Sequence, residues 1–446
     1  MTPQSLRKLD RELTTFLDAL TDGMGRPERR VAMRQYVTGL LLDGERKSIE
    51  PIAARVVDAA TEVEAMRQRL QQCVVVSPWS AQTMFARIAR LLARDLPGLE
   101  AFVIDDTGFP KKGEYSVGVA RQYSGTLGRT DNCQIATSLH VAGERGSGCI
   151  GMRLYLPEAW TADPERCTAA GVPDIVQFAP KWQHALELLD AAREAGVGPY
   201  VVLADSAFGK VTACREALRA RDLPYVVRVS EDLVVWPPGT EFAVPVGSPI
   251  GRPPTVERAD PDIRPVTVAA LAKTVTHRRV TWRDGSRGAQ ASRFAAVRVR
   301  TAHEHRQGAG PGPEEWFLSE WPPGEPAPTK FYFASLLRQT SLRTLVRLAT
   351  LRWRIERDDQ EMKGELGLDH LKGAPGTAFI TTPPYVPPPI PSSRCVGRFS
   401  PRSRIPWTLS LVRRHLQPLL LRRLPSCPLC GRRVTHDQLP RGHSRM

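Results

Sequence analysis

The chain has 446 residues, 41% of them hydrophobic, and carries 62 Lys and Arg against 47 Asp and Glu, a formal net charge of +15. That length exceeds one ordinary core, so two or three domains are expected. No 18-residue apolar run and no leader pattern in Met-Thr-Pro-Gln-Ser is seen, which predicts a soluble, cytoplasmic chain without a membrane partner, and the eight scattered cysteines argue against a disulfide framework.

Residues 1–95 read as an all-helical N-terminal domain, with 3.6-residue apolar spacing over Leu6–Leu20, Arg30–Leu42, Ile49–Leu70 and Ser80–Leu92, and Ser80 as an N-cap. Arg26, Arg29, Arg30, Arg34, Arg46, Lys47, Arg67 and Arg69 recur through it. They are either solvated helix faces or phosphate contacts of a DNA-binding domain. After Pro97-Gly98 the pattern changes. Ala101–Ile104 is a buried strand ending in Asp105-Asp106-Thr107-Gly108, and Ser116–Tyr123 and Asn132–Ala142 alternate as two more strands. A helix over Phe178–Ala195 leads to the strand Tyr200–Ala204, which ends in Asp205-Ser206-Ala207-Phe208-Gly209. The helix Lys210–Arg221 and the strand Tyr225–Val229 follow. This order predicts an α/β fold with an RNase H-like catalytic core over 96–229.

Residues 230–330 alternate Pro/Gly punctuation with short β-rich runs, Val275–Trp282, Arg293–Thr301, Trp316–Trp321 and Phe331–Ala334, and read as a β-rich insertion. The core returns over 331–373 as one helix, Leu342–Leu366. On it Arg352, Glu356, Asp359 and Lys363 fall within roughly 60° of one another, while Glu361 points to the other side. The bland reading is a solvated face with ion pairs Arg352–Glu356 and Asp359–Lys363. The chemical one joins Glu356 to the strand-end residues Asp105 and Asp205 as a carboxylate triad. Such a triad suits two divalent ions, and hard oxygen ligands favour Mg²⁺ or Mn²⁺.

Three stretches carry a family resemblance. Val103-Ile104-Asp105-Asp106-Thr107-Gly108-Phe109-Pro110-Lys111-Lys112-Gly113 and Val202-Leu203-Ala204-Asp205-Ser206-Ala207-Phe208-Gly209 resemble the first and second Asp strands of bacterial insertion-sequence transposases of the DDE superfamily. Arg352, Glu356 and Lys363 match the spacing of that family's Tyr-x2-Arg-x3-Glu-x6-Lys motif, and its Tyr position falls on Ala349. The resemblance covers roughly residues 25–373 and returns near 407–433. It implies an RNase H-like core, Mg²⁺-dependent cleavage and strand transfer at transposon ends, a duplex DNA partner with terminal inverted repeats, and a homodimer on DNA in a bacterial, nucleoid-associated setting. The catalytic and metal-holding residues it implies are Asp105, Asp205 and Glu356, with Asp106 the alternative first Asp. Arg352, Lys363, Lys111 and Lys112 are the candidate DNA contacts. Some relatives hold a flipped base on an insertion Trp, for which Trp282 and Trp316 are candidates, with core packing the alternative. Rival readings are a relative that no longer cuts and a DNA-binding regulator.

Residues 374–446 form a basic tail with 12 Lys and Arg against one acidic residue. Its Pro-rich part, about 374–405, is expected to lack a core and to be translated out of frame: a back-translation of 375–382, shifted by two bases, yields Trp-His-Gly-Phe-His-His. Helical periodicity resumes over Trp407–Leu424. Cys427, Cys430, His436 and His443 are zinc-ligand types, a candidate structural site.

Overall fold

The computed structural model describes residues 3–245, 254–285, 288–303 and 305–368, and residues 413, 416, 417, 419 and 420 further on. The predicted out-of-frame stretch 374–405 and the candidate zinc ligands Cys427, Cys430, His436 and His443 lie outside the described residues. No helix among the described residues is long and apolar enough to cross a membrane.

Five helices open the chain: Pro3–Thr21 (α1), Pro27–Leu41 (α2), Ile49–Val56 (α3), Val63–Gln71 (α4) and Ala81–Asp95 (α5). Leu9, Leu13, Phe16, Leu17 and Leu20 give α1 one buried stripe, and the Ser80 hydroxyl accepts from Thr83 N at the start of α5. The helix predicted over Ile49–Leu70 is broken, with Val57 extended. The buried residues explain this. From Val56 to Met66 is ten positions, which on a continuous helix would turn the second apolar patch about 80° from the first. Lys47 corrects another expectation. It is 4% exposed and its ammonium donates to the carbonyls of Leu40 and Leu42, so it cannot meet a phosphate.

The strands are Leu99–Pro110 (β1), Ala120–Ser124 (β2), Arg129–Gly143 (β3) and Gly146–Tyr155 (β4). After the short helices Glu158–Thr161 (α6) and Pro164–Ala169 (α7) comes Lys181–Glu194 (α8), then Val201–Ala204 (β5), Ser206–Gly209 (α9), Thr212–Ala220 (α10) and Tyr225–Val229 (β6). The strand β4 is absent from the sequence reading because its glycines, Gly146, Gly148 and Gly151, interrupt the alternation. Gly151 is used for packing, since a Cβ there would stand 2.9 Å from Leu188 of α8.

In the sheet β4 pairs antiparallel with β3, β3 antiparallel with β1, β1 parallel with β5, and β5 parallel with β6. Residues of β1 alternate between faces. Phe102 and Ile104 join a core with α8, α10 and the N-terminal helices, whereas Ala101 and Val103 pack with the C-terminal helices Leu342–Leu351 and Trp353–Leu366.

The intervening stretch contains Val234–Trp236 (β7), Phe242–Ala243 (β8), Arg258–Ala259 (β9), Val266–Thr267 (β10), Val268–Thr274 (α11), Arg278–Gly285 (β11), Gly288–Thr301 (β12), Glu314–Trp321 (β13) and Lys330–Ala334 (β14). Its long strands extend the same sheet: β14 pairs antiparallel with β6, then β13 and β12 follow. Among the described residues one sheet thus holds twelve strands. Trp282 meets Phe294 edge-on in the core, and Trp316 donates from Nε1 to Leu337 O beneath Arg298.

The predicted helix Leu342–Leu366 is two: Leu342–Leu351 (α12), capped by the Ser341 hydroxyl, and Trp353–Leu366 (α13). Arg352 is the joint between them. Further on, Leu416, Leu419 and Leu420 are buried in the main core. Arg413 donates to Leu41 O and to Asp43 and also pairs with Glu365 at the end of α13.

Candidate active site

Two neighbouring parallel strands deliver the first two acids. The parallel pairing of β1 and β5 ends at Ile104 and Ala204, so Asp105 and Asp205 follow it side by side. Only β5 stops there: β1 runs on to Pro110 with Asp105 opposite Ser138 of β3, which corrects the expected strand end at Asp105. Ligands of open α/β sheets gather beyond this edge. Asp205 Oδ1 accepts from Ala207 N at 2.9 Å, capping α9. Asp105 is fixed from both sides, with Oδ1 accepting from Asp106 N at 2.9 Å and Oδ2 from Arg352 Nη1 at 2.6 Å.

Arg352 is the centre of the arrangement. Its other terminal nitrogen, Nη2, donates to Glu356 Oε1 at 2.8 Å, one turn along α13. The guanidinium therefore joins Asp105, 17% exposed, to Glu356, 63% exposed. Burial pushes the Asp105 carboxyl up to about 7; Arg352 opposes that rise and the nearby charge of Asp205 adds to it. Burial works against the charge on Arg352, yet Asp105, Glu356 and Asp205 hold its proton more firmly than usual.

The remaining expected residues fall around this centre. Lys363 Nζ donates to Gly108 O at 3.0 Å and to Thr126 Oγ1 at 2.8 Å, above the Phe109 ring. The predicted face does not stay together: Asp359 turns inward, where burial raises its pKa against the pull of His140 and Lys363. Glu361 pairs with Arg357 at 2.6 Å. Asp106 points the opposite way from Asp105, with Oδ2 on Lys181 of α8 at 2.7 Å and Oδ1 accepting from Thr137. Lys112 is exposed, Lys111 partly so. Ala349, at the Tyr position of the resemblance, is 8% exposed within the apolar core.

Sequence reasoning missed His140. It is wholly buried in β3, with Nδ1 3.0 Å from Asp358 Oδ2 and Nε2 3.8 Å from Asp359 Oδ1, while Ser147 Oγ donates to Asp358 Oδ1 at 2.9 Å. Burial opposes its protonation, but Cys149 and Asp358 more than offset that and raise its pKa well above the ordinary value. The only signal was a titratable residue inside Leu139-His140-Val141. Tyr332 of β14 was missed too. Burial raises its hydroxyl to about 12, and it also feels Arg352 and Glu356.

Among the described residues no three His, Cys, Asp or Glu are close enough to hold a metal ion. Asp105, Asp205 and Glu356 are brought to one end of the sheet, but a guanidinium lies between two of them.

A family model described as "DDE superfamily endonuclease" matches residues 17–289. The chain belongs to that family. The match takes in Asp105 and Asp205 and stops before α12. The chain is also 29% identical over 180 residues to the probable transposase for insertion sequence element IS701 from Microchaete diplosiphon. That alignment covers 40% of this chain and 43% of the relative, so the chain spans less than half of that protein's length.

Proposed function

We propose that the chain is a DNA transposase that cleaves and transfers phosphodiester bonds at transposon ends, with Asp105, Asp205 and Glu356 as its catalytic carboxylates. The observation that carries this is the link from Asp105 through Arg352 to Glu356, with Asp205 beside it at the carboxyl end of the parallel strands. The order β4-β3-β1-β5-β6, with β3 alone running against the others, supports an RNase H-like core. The family match and the transposase relative point the same way.

The residues fit divalent cations. All three donors are hard carboxylate oxygens, and Asp105, whose carboxyl is raised chiefly by burial and further by the charge of Asp205, stands beside a second acid. Asp105, Asp205 and Glu356 would hold two Mg²⁺ or Mn²⁺ ions. Their chemistry when bound is to ionise a water or 3′-hydroxyl and to take up charge on the leaving oxygen. Arg352 and Lys363 supply cations for backbone phosphates. Asp106, tied to Lys181 on the other face, is assigned a structural part.

The partner is duplex DNA bearing terminal inverted repeats, bound by a homodimer that brings two ends together. The test is cleavage of a duplex carrying the DNA that flanks the gene, with Mg²⁺ or Mn²⁺ present. Cutting that Asp205→Asn abolishes is expected; equal cutting by Glu356→Ala would show the assigned set to be wrong. The buried Ala349 favours a second reading, an impaired remnant, and binding of the duplex without cleavage would establish it.

A further inference from the structure

The two carboxylates that Arg352 bridges are ones assigned above to metal, and the inference rests on that assignment. Nη1 lies 2.6 Å from Asp105 and Nη2 2.8 Å from Glu356, with the guanidinium 21% exposed and drawn also by Asp205. The protein's own cation thus takes the place between two of the three acids. A dication entering there meets a fixed like charge at short range, in surroundings drier than bulk water. The same planar fork of donors matches a phosphate as well as it matches a carboxylate.

We propose that Arg352 is a placeholder cation: it occupies the carboxylate pair until a DNA backbone phosphate draws it away, so that metal entry is tied to the presence of DNA. The coupling is reciprocal. If DNA removes Arg352 and thereby tightens metal binding, metal tightens DNA binding by the same factor. Arg352 is then a positioning residue toward the metal and a contact residue toward the DNA.

The test uses Mn²⁺ alone as probe, titrated into the full chain and read from the free-ion spin-resonance signal. It is run at about pH 8.5, so that protons do not refill the acids, with and without a short duplex carrying the gene's flanking DNA. Without DNA, Arg352→Gln is expected to bind Mn²⁺ about tenfold more tightly than the parent. The tightening that DNA produces in the parent should vanish in this variant. Arg352→Lys, a point charge that cannot bridge both acids, should fall between them, and it carries the comparison if melting curves show the Gln variant unfolded. Mn²⁺ binding in Arg352→Gln that is equal or weaker, or still tightened by DNA as in the parent, overturns the proposal. Mn²⁺ binding to the parent that Asp205→Asn leaves unchanged would remove the metal assignment itself, and the placeholder with it.

Discussion

Lys181 Nζ lies 2.7 Å from Asp106 Oδ2 on the face of the sheet away from Arg352, while the preceding residue, Asp105, meets Arg352. Alternation along β1 thus gives two adjacent acids different work. Asp105→Asn is expected to lower cleavage by at least about a hundredfold. Asp106→Asn should instead destabilise the fold by about 1–3 kcal/mol and leave cleavage measurable. Equal loss of cleavage in two stably folded variants would refute the division.

Asp105 also gives the metal-free protein a pH signature. A carboxyl raised to about 7 in the fold binds its proton more tightly there than in the unfolded chain. Its contribution therefore erodes stability as pH rises from about 4 to about 7. Asp105→Asn should show a flatter stability profile over that window and melt higher than the parent at pH 8. Parallel profiles, measured by melting in chelator, would show that the acid is not strained.

His140 predicts the consequences of loosening α13. Its raised pKa means that its stabilisation is present below the ordinary histidine value and is lost as pH climbs through the folded value. His140→Leu leaves Asp358 with the hydrogen bond from Ser147 but without the buried imidazole, at a cost of about 3 kcal/mol, and should remove that pH dependence. A variant as stable as the parent, with the same pH profile, would contradict the role given to the His140–Asp358 pair.

Among the N-terminal basic residues, Arg26, Arg46 and Arg69 are exposed and Lys47 is buried. If these helices hold phosphates, Arg46→Ala should reduce the salt slope of DNA binding by about one unit. Lys47→Met should leave the slope unchanged, whatever it does to stability. The opposite ranking in a salt titration would show that the wrong face had been assigned.

Replacing Ala349 by the Tyr of the family motif is not a simple repair. The site is 8% exposed in a packed apolar cluster, so Ala349→Tyr is expected to destabilise by about 1–3 kcal/mol. A higher melting temperature would show that the cluster has room.

How much was legible follows the range of the interactions. The Arg352–Glu356 pair could be read because both residues lie on one turn of chain, and the strand ending before Asp205 because its apolar run is short and sharply ended. The same cue misplaced the end of β1, which runs through Asp105 to Pro110 because β3 goes on pairing with it. The break at Arg352 could not be read, since good helix formers continue through it. Nor could the burial of His140, which depends on carboxylates supplied by α13, or that of Lys47, whose ammonium is turned back onto the carbonyls of Leu40 and Leu42 by a loop conformation that no periodicity marks. The same holds for the β-rich stretch. Local alternation marked its strands, but that β14 would pair with β6 is decided by contacts about a hundred residues apart in sequence.

That pairing has a mechanical consequence. Backbone hydrogen bonds run without interruption from β12 through β13 and β14 to β6, and from there to β5, which carries Asp205 at its end. The added strands are therefore a stiff arm rather than a hanging flap. Anything seated on them is held at a set distance and angle from the acids, like work against a ruler. On the proposed function, a duplex reaching from these strands to Asp205 would lie against one continuous ladder, unbroken among the described strands.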